Sequence, residues 1–420
     1  MRVLFTANPE KAHLLAMVSM AWALRTAGHE VRFASQPAFT STITQAGLTA
    51  VAVGRDVDLW DLIPRDPRFP NWVWEPEYGL PTPYDVVDDP SRATWEHMVE
   101  GYQEQLTSWH KPASFPMISG LVEFAQAWKP DLILWEPLSL AGPIAARACG
   151  AAHARLLWGV DVFGLTRQHY LRLRGDRTED PLGGWLAGYA RRFGGDFAED
   201  MLTGHFTIDQ LPSSLRVEAD LHYESVQFTP YGGPAVVPKW LWEKPSKPRV
   251  ALTMGLSLTD HKAGYKISVQ DVFDALADLD IELVATIAES AQPAVTHVPD
   301  NVRMVPYVPL HALVPTCTAL INHGGFGTVM TTARHGVPQL VVPWDFDAPA
   351  LAARVGQQGS ALVTRADEAS GQSIRDSVLR LLGEAPFRDR AGELQREIQA
   401  LPTPNELVGR LEELTTTYRA

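Results

Sequence analysis

The chain has 420 residues and a formal net charge of −13, a length that suits two domains rather than one. Hydrophobic residues make up 45% of it and charged residues 20%, so sizeable cores can form and global disorder is excluded. An acidic chain without a basic cluster argues against nucleic acid or an anionic membrane as the main partner.

The two cysteines, Cys149 and Cys317, match no zinc-ligand spacing and give no disulfide framework. No stretch reaches 18 apolar residues and the first apolar run covers only residues 3–5, so we expect a cytoplasmic protein without a membrane span or signal peptide.

The first half of the chain alternates short apolar runs with segments of helical spacing. Strands are predicted at residues 3–5, 29–34, 48–53, 131–135 and 153–158, and helices at 14–28, 40–46, 140–149, 161–174 and 182–193. Strands separated by single helices indicate a parallel, doubly wound sheet.

A second series of the same kind follows a proline-rich stretch. Residues 227–248 contain five prolines and two adjacent glycines, which is typical of an interdomain linker. Strands are then predicted at residues 249–254, 281–287, 302–305, 319–322 and 339–342, and helices at 269–279, 327–335, 348–357 and 405–418. We therefore predict an α/β protein with two Rossmann-like domains that face one cleft. Residues 1–226 form the first domain and 249–402 the second, and a helix within 403–420 packs back on the first.

Residues 56–109 interrupt the first series with seven prolines and five tryptophans. A loop of this length inside a compact domain is usually functional. Its aromatic content favours a surface that closes over something apolar. A local core built from the same tryptophans is the alternative.

Two glycine-bearing turns follow strands of the second half. Residues 322–328 read NHGGFGT and open a helix, and residues 253–257 read TMGLS. Glycines at such turns let backbone N–H groups approach a ligand, and a helix N-terminus favours an anion. The sequence is neither a Walker A loop nor a full GxGxxG motif. On the glycines alone, plain strand-to-helix turns explain the pattern equally well.

Taken together with the segment NVRMVPYVPLHALVPTCTALINHGGFGTVMTTARHGVPQLVVPWDFDAPALAARV, these turns resemble the GT-B glycosyltransferases of natural-product biosynthesis. The resemblance extends over essentially the whole chain, since MRVLF and AWALRTAGHEVRFAS are similar to the acceptor domain of that family. The segments TWEH, KPDLILWEP, HARLLWG and VPKWLWEKP are most similar to the subgroup that attaches deoxyaminosugars to macrolides, such as desosaminyltransferases.

The resemblance implies where a nucleotide would bind. The phosphate-binding motif of the family falls on His323, Gly324, Gly325, Gly327 and Thr328, and its second phosphate turn on Gly255 and Ser257. Tyr307 takes the place of the aromatic residue that stacks on the nucleobase, where many relatives have Trp, and base stacking tolerates that change. The backbone of Val308 would then face the base edge.

The resemblance also implies a sugar site. Family members carry Asp-Gln before the last helix, whereas this chain has Asp347 and Ala348, with Trp344 as a further implied sugar-binding residue. The missing Gln removes a partner for one sugar hydroxyl, which fits a deoxysugar. Residues 345–347 also spell DxD, a metal signature of a different glycosyltransferase fold. Two carboxylates alone make a poor Mg²⁺ site, so we expect no metal.

His13 matches the catalytic base of the family, in the loop that leads into the first helix. That role requires an imidazole near the acceptor hydroxyl and a carboxylate that fixes its tautomer. Glu136 matches the orienting Asp of the family, just after a later strand. A histidine at a helix start is more often a cap or a solvated residue, so it is the resemblance that favours catalysis here.

The resemblance predicts an inverting transfer of a deoxysugar, specifically a deoxyaminosugar, from a dTDP-sugar to a hydroxyl of a macrolide or other polyketide aglycone, as in antibiotic biosynthesis. The dTDP-sugar is a substrate, and no cofactor is expected. A sugar-nucleotide epimerase and a non-catalytic helper protein are the alternatives. The Trp- and Pro-rich insert argues against the first, and the presence of both His13 and His323 argues against the second.

The same subgroup implies a protein partner, an auxiliary activator related to cytochromes P450 but without haem function. The insert and the helix at residues 161–174, with Arg167, Arg172 and Arg174, are the predicted docking surface, because arginine and tryptophan are favoured at interfaces. The alternative is that these segments only shape the aglycone pocket. A homodimer is left open.

Overall fold

The computed structural model describes residues 1–62, 78–193, 195–255 and 264–419. Its chain forms two sheets in which every neighbouring pair of strands is parallel. The strand order is β3-β2-β1-β4-β5-β6-β7 in the first sheet and β10-β9-β8-β11-β12-β13 in the second. This confirms the predicted pair of doubly wound α/β sheets.

The strands of the first sheet are β1 Arg2–Thr6, β2 Glu30–Ser35, β3 Ala50–Ala52, β4 Leu132–Trp135, β5 Ala152–Leu156, β6 Phe206–Asp209 and β7 Tyr223–Ser225. Those of the second are β8 Arg249–Thr253, β9 Glu282–Thr286, β10 Val302–Val305, β11 Ala319–Asn322, β12 Gln339–Val341 and β13 Ala361–Val363. The central strands are buried on both faces, as expected of a parallel sheet covered by helices.

The helices of the first half are α1 Lys11–Thr26, α2 Thr40–Gln45, α3 Leu59–Leu62, α4 Trp95–Gln105, α5 Lys111–Trp128, α6 Ala141–Cys149, α7 Val162–Arg174, α8 Pro181–Arg192 and α9 Asp200–Thr203. Those of the second half are α10 Val269–Leu276, α11 Leu310–Leu313, α12 Phe326–Arg334, α13 Ala348–Gln358, α14 Gly371–Gly383, α15 Ala385–Ala400 and α16 Pro404–Tyr418. In the described part of the chain, none of these helices combines the length and the apolar character that a membrane crossing requires.

The strand order reverses direction between β1 and β4 in the first sheet and between β8 and β11 in the second. Open parallel sheets bind ligands at such a switch point, beyond the carboxyl ends of the strands. The chain leaves β1 toward α1 and leaves β11 toward α12. The starts of these two helices are therefore the positions at which the fold predicts a site.

The insert contains more regular structure than its prolines suggest. A helix, α4, begins after Thr94, whose hydroxyl accepts a hydrogen bond from the N–H of His97 at 3.3 Å. A single π-helical turn, Leu106–His110, joins α4 to the long helix α5. The reason is that residues 91–111 contain no proline, so the helix can propagate. Trp72 and Trp74 lie outside the described residues.

The C-terminal helix α16 packs on the first sheet rather than on the second. Leu407, Val408, Leu411 and Leu414 belong to the same buried cluster as Phe5 of β1 and several residues of α1 and β5. A capping box at Thr403 and Glu406 starts the helix. The chain thus crosses between the two sheets a second time.

Other contacts join the two halves beside the cleft. The backbone N–H of Gln227 donates to the carbonyl of Pro402 at 2.8 Å, and Arg334 donates to the side chain of Gln227 at 2.8 Å. On the insert, the N–H of Gly79 donates to the carbonyl of Trp344 at 3.0 Å. The insert therefore touches the second half directly.

The prediction that Arg167 belongs to an exposed docking surface is wrong. Arg167 is 2% exposed, and its guanidinium forms paired hydrogen bonds with Asp180 and Glu199. Arg174 contacts the same two carboxylates, whereas Arg172 is exposed. Arg167 has this position because α7 turns it toward Asp180 at the start of α8 and toward Glu199, and these two carboxylates compensate the charge of the buried guanidinium.

The packing of α16 predicts a stability effect. Leu411→Ala should lower the free energy of unfolding by about 2–5 kcal/mol, because it leaves a cavity against the first sheet. Urea unfolding of the variant measures this. Thr416→Ala, an exposed change on the same helix, is the matched control and should stay within about 0.5 kcal/mol of the unmodified chain. Equal stability of both variants would mean that α16 does not pack as described.

Candidate active site

One cavity of about 840 Å³ opens between the two halves and receives side chains from both. The predicted site residues that line it are His13, Gly255, Tyr307, Val308, His323, Gly325, Gly327, Thr328, Trp344, Asp347 and Ala348. Glu136 and Gly324 lie behind this lining, each next to a lining residue. Ser257 lies outside the described residues.

His13 and Glu136 meet at the carboxyl edge of the first sheet. His13 lies in the first turn of α1, not in the loop before it, because the helix begins already at Lys11. Its Nδ1 is 3.5 Å from Oε2 of Glu136, and the imidazole keeps 12% of its side-chain surface exposed to the cavity. With Nδ1 directed at the carboxylate, Nε2 is the nitrogen left to accept a proton from a ligand.

Glu136 is fully buried and held by hydrogen-bond donors. Its Oε2 accepts from the backbone N–H of Leu138 at 2.8 Å and from the indole N–H of Trp158 at 3.0 Å. Its Oε1 accepts from the N–H of Asn8 at 3.3 Å. Burial alone would raise the pKa of Glu136, but His13 and these donors lower it, so the carboxylate stays charged.

The pKa of His13 is raised above its ordinary value. Burial by itself lowers it, but the nearby Glu136 carboxylate and the charges of Glu10 and Asp347 more than offset the burial. An imidazole with this surrounding is a stronger base than a free one.

His323 has the opposite electrostatic environment. It is surrounded by protein, and burial lowers its pKa to about 4, with only a partial offset from the backbone of Thr253. The imidazole is therefore neutral at pH 7 and can act there as a hydrogen-bond donor but not as a cation.

Two glycines make room for the His323 ring. A Cβ on Gly255 would lie 2.5 Å from Cε1 and 2.6 Å from Nε2 of His323, and a Cβ on Gly325 would clash with Nε2. Gly255 also has a φ of 73°, which favours glycine. The ring edge with Nε2 therefore lies between two glycine backbones, where any side chain would displace it.

The start of α12 is shaped for an anion. Asn322 is buried, and its Oδ1 accepts from the N–H of Gly324 at 2.8 Å, which fixes the turn before the helix. Gly325 is the N-cap residue and has no side chain to cap the helix. The first N–H groups of α12 are therefore left for a ligand beside His323 and Thr328.

Asp347 contacts the first half of the chain. Its Oδ2 accepts from the N–H of Val160 at 3.1 Å, and a Cβ on Gly159 would clash with the carboxylate. Burial raises the pKa of Asp347 to about 7, and the Val160 N–H offsets this in part. A carboxylate that is half neutral near pH 7 and bound to a backbone N–H is poorly suited to hold a divalent cation.

Tyr307 presents an exposed ring to the same cavity. Its hydroxyl donates to the carbonyl of Gly232 at 3.0 Å, which fixes the ring, and the residue is 40% exposed. Val308, the next residue, is buried. A fixed aromatic ring with an open surface is suited to stacking on a flat ligand.

The aromatic residues of the insert divide between the two predicted roles. Trp60 and Trp109 contact each other, with ring centroids 5.7 Å apart, and both line the cavity. Tyr84 also lines it and packs edge-on against Phe163 at 4.9 Å. Trp95 instead packs on Tyr170 in the core of the first half, 5.4 Å between centroids. The insert is therefore partly cavity wall and partly local core.

Trp158 is a site residue that the sequence did not indicate. Its indole stacks on the His13 ring, with centroids 4.2 Å apart and planes 9° apart, while its N–H reaches Glu136. The available signal was its position two residues beyond β5, at the same sheet edge as His13 and Glu136.

In the described part of the chain, one group of side chains has metal-like spacing, namely His153, Asp200 and His205. It lies at the amino end of β5, at the opposite edge of the sheet from the cavity. Nδ1 of His153 accepts from the indole N–H of Trp135, and Nδ1 of His205 accepts from the N–H of His153. Both rings therefore carry their proton on Nε2, toward Asp200, and neither offers a lone pair to a metal there.

Models of two domains of one family match this chain. The N-terminal domain of the family described as erythromycin biosynthesis protein CIII-like matches residues 22–255, and its C-terminal domain matches residues 270–414. The chain belongs to this family. The predicted resemblance to natural-product glycosyltransferases is thereby confirmed.

Characterised members agree with this assignment along their whole length. The chain is 39% identical to 3-alpha-mycarosylerythronolide B desosaminyl transferase of Saccharopolyspora erythraea, covering 100% of this chain and 99% of that protein. It is 42% identical to aclacinomycin-T 2-deoxy-L-fucose transferase of Streptomyces galilaeus, covering 100% and 97%. Among solved structures, the glycosyltransferase VinC in complex with dTDP superposes with a TM-score of 0.88 at 38% identity, over 99% of this chain and 100% of that one. The chain is a glycosyltransferase with the GT-B fold.

The two imidazoles of the cavity should titrate in opposite directions. In an NMR titration of the histidine rings, His323 should remain neutral from about pH 8 to about pH 5, whereas His13 should gain its proton above the ordinary value of about 6.5. Because the unfolded chain protonates His323 first, this residue should make the fold less stable as the pH falls from about 6.5 toward about 4. His13→Asn and His323→Asn assign the two signals. Titration of His323 near 6.5 would contradict the buried neutral ring.

Proposed function

We propose that this family member transfers a deoxysugar from a dTDP-sugar to a hydroxyl of an apolar polyketide aglycone, with inversion and without a metal. The observation that supports this most is that an imidazole backed by a buried carboxylate and a helix start without a side-chain cap line one cavity from opposite halves. The arrangement provides for the two events of the reaction, deprotonation of an acceptor and departure of a diphosphate.

His13 performs the first event. Nε2 takes the proton of the acceptor hydroxyl while the oxygen attacks the anomeric carbon of the donor sugar. Glu136 holds the other side of the ring and stabilises the imidazolium that forms, without taking the proton itself. The proton then leaves His13 to solvent, and no covalent sugar intermediate is needed, so the anomeric carbon inverts.

The start of α12 performs the second event. As the bond between the anomeric carbon and the phosphate oxygen breaks, negative charge collects on the diphosphate. The N–H groups of α12, the neutral ring of His323 and the hydroxyl of Thr328 offer hydrogen bonds to that charge. Preorganised donors of this kind replace the part that a cation plays in other transferases.

The remaining predicted residues are assigned to base and sugar. Tyr307 stacks on the thymine, and Val308 borders its edge. Trp344 lines the cavity, and its buried indole N–H has no hydrogen-bond partner within the described residues, which supports a contact to the sugar. Asp347 stands next to it, and Ala348 offers no polar group where the family has Gln, which favours a sugar that lacks one hydroxyl.

The acceptor lies on the side of the insert. Trp60, Trp109, Tyr84 and Phe346 provide an aromatic wall, which suits an apolar aglycone better than a second sugar. One relative's name specifies a desosaminyl transfer to an erythronolide and another's a deoxyfucose transfer to aclacinomycin-T. For this chain we favour a deoxyaminosugar as the donor sugar and a macrolide as the acceptor. Its TWEH and KPDLILWEP segments are most similar to those of the transferases that join this pair.

Removal of the base should slow the transfer reaction strongly and leave binding of the donor nucleotide unchanged. His13→Ala should lower kcat by about 10²–10⁴-fold, the usual contribution of a general base. The Kd of dTDP, measured by calorimetry, should stay unchanged because His13 belongs to the other half of the cavity. Glu136→Gln should lower kcat less. Loss of dTDP affinity in His13→Ala would contradict the division of roles between the two halves.

Substitutions at the start of α12 should lower kcat/KM through the loss of contacts to the diphosphate. His323→Ala should lower kcat/KM by an amount equivalent to about 2–4 kcal/mol, comparable to the loss of one oxyanion donor. Gly325→Ala should imitate it, since the added Cβ displaces the His323 ring. Gly392→Ala, a glycine of α15 whose Cβ would have ample space, is the control and should behave as the unmodified enzyme. Unchanged turnover in both His323→Ala and Gly325→Ala would remove His323 from the phosphate site.

We further propose that an auxiliary activator protein of the P450-like type docks on the first half. The exposed Arg172 of α7 is the remaining probe of that surface, because alanine at the buried Arg167 would disturb the fold instead. Purified enzyme should turn over slowly and gain activity when the activator is added, and Arg172→Ala should weaken that gain without a change in dTDP affinity. Full activity of the lone enzyme with macrolide aglycones would contradict the proposal.

A further inference from the structure

The contact between His13 and Glu136 does not by itself hold the base in place. At 3.5 Å, Nδ1 and Oε2 are farther apart than in a well-formed hydrogen bond, for which about 2.7–3.2 Å is usual. An imidazole with only this contact can rotate about its side-chain bonds. A catalytic base needs a defined orientation, since misplacement by about 1 Å can cost 10²-fold in rate.

Trp158 supplies the contacts that are missing. Its indole covers one face of the His13 ring almost parallel, 4.2 Å between centroids, so the imidazole cannot tilt toward that side. Its N–H donates to Oε2 of Glu136 at 3.0 Å, the same oxygen that faces Nδ1 of His13. One side chain thus fixes both members of the pair.

The turn that carries Trp158 is anchored from the opposite half of the enzyme. Asp347 accepts from the N–H of Val160, two residues after Trp158, and lies against Gly159. On the donor side, the ring of Phe346 is 6.2 Å from the indole, centroid to centroid. The position of Trp158 is therefore set by both halves of the cavity.

We propose that Trp158 is a positioning residue of the transfer reaction, which sets the ring plane of His13 by stacking and the Glu136 carboxylate by its N–H. The inference rests on the proposed function, in which His13 is the base. It assigns to Trp158 no contact with the reacting atoms.

The positioning role can be tested through the pKa of His13, which a merely structural role of Trp158 would not change. The charged groups that face His13 are Glu136 behind it, Glu10 on the preceding turn and Asp347 on the opposite half. Lys11 is its neighbour on α1. The Trp158 N–H partly compensates the negative charge of Glu136. Without this N–H, the carboxylate attracts the proton on His13 more strongly. The pKa of His13 should then rise, and the acidic limb of the pH profile should move to higher pH, because only neutral His13 can accept the proton.

The experiment compares two variants with a matched control. Trp158→Phe keeps a ring on His13 but removes the N–H, and Trp158→Leu removes both. Trp128→Phe is the control: its indole N–H also reaches a glutamate, Glu30 at 3.3 Å, but at the far edge of the sheet. Each enzyme is assayed for kcat and for KM of the dTDP-sugar across pH, and the His13 ring signal is titrated by NMR.

Trp158→Phe should lower kcat about tenfold, the scale of one hydrogen bond to a charged group, with the KM of the donor unchanged. Its acidic limb and its His13 titration should both move to higher pH. Trp158→Leu should lower kcat further, and Trp128→Phe should match the unmodified enzyme in all readouts.

An unchanged kcat, or an unchanged His13 titration in Trp158→Phe with the fold intact by circular dichroism, would overturn the inference. The two failures can be separated. If His13→Ala retains full turnover, the proposed function itself fails. If His13→Ala is inactive while Trp158→Phe behaves as the unmodified enzyme, the positioning role alone fails.

Discussion

A carboxylate buried away from water must be surrounded by donors, and this requirement organises the carboxyl edge of the first sheet. Glu136 follows β4 directly and has no access to solvent, so its charge depends on Leu138, Trp158 and His13. Each of these groups is held where it is by a strand end or by a helix start. The same charge raises the pKa of His13 and so gives the cavity a base.

In the opposite half of the cavity the pKa of the histidine is lowered rather than raised. His323 is as enclosed as His13, but among the residues that the structure describes no carboxylate shifts its pKa, and burial keeps it neutral. Under the proposed function, this neutral ring between two glycines is a hydrogen-bond donor to the diphosphate rather than a cation. Two histidines of one cavity thus differ in the direction of their pKa shifts because they differ in charged neighbours, the general way in which proteins separate acid and base functions.

The sequence predicted the two parallel sheets, since runs such as residues 3–5 and 319–321 are apolar throughout, as doubly buried strands require. It also predicted the residues of the cavity at the strand ends, but only by resemblance, because a histidine at a helix start has many uses. The prolines on either side obscured α4, although Thr94 and the proline-free stretch after it allow that helix. The burial of Arg167 depends on the packing that brings Asp180 and Glu199 to its guanidinium, and no local pattern in the sequence shows this. Trp158 was missed because stacking across two β/α turns leaves no periodic pattern in the chain.

A structure of the enzyme with dTDP and an aglycone bound together tests the central claim most directly. The account predicts the diphosphate at the N-terminus of α12 beside His323, the thymine on Tyr307, and an aglycone hydroxyl within hydrogen-bond reach of His13 Nε2, about 2.6–3.2 Å. A diphosphate bound elsewhere, or an aglycone whose hydroxyls all lie far from His13, would contradict it.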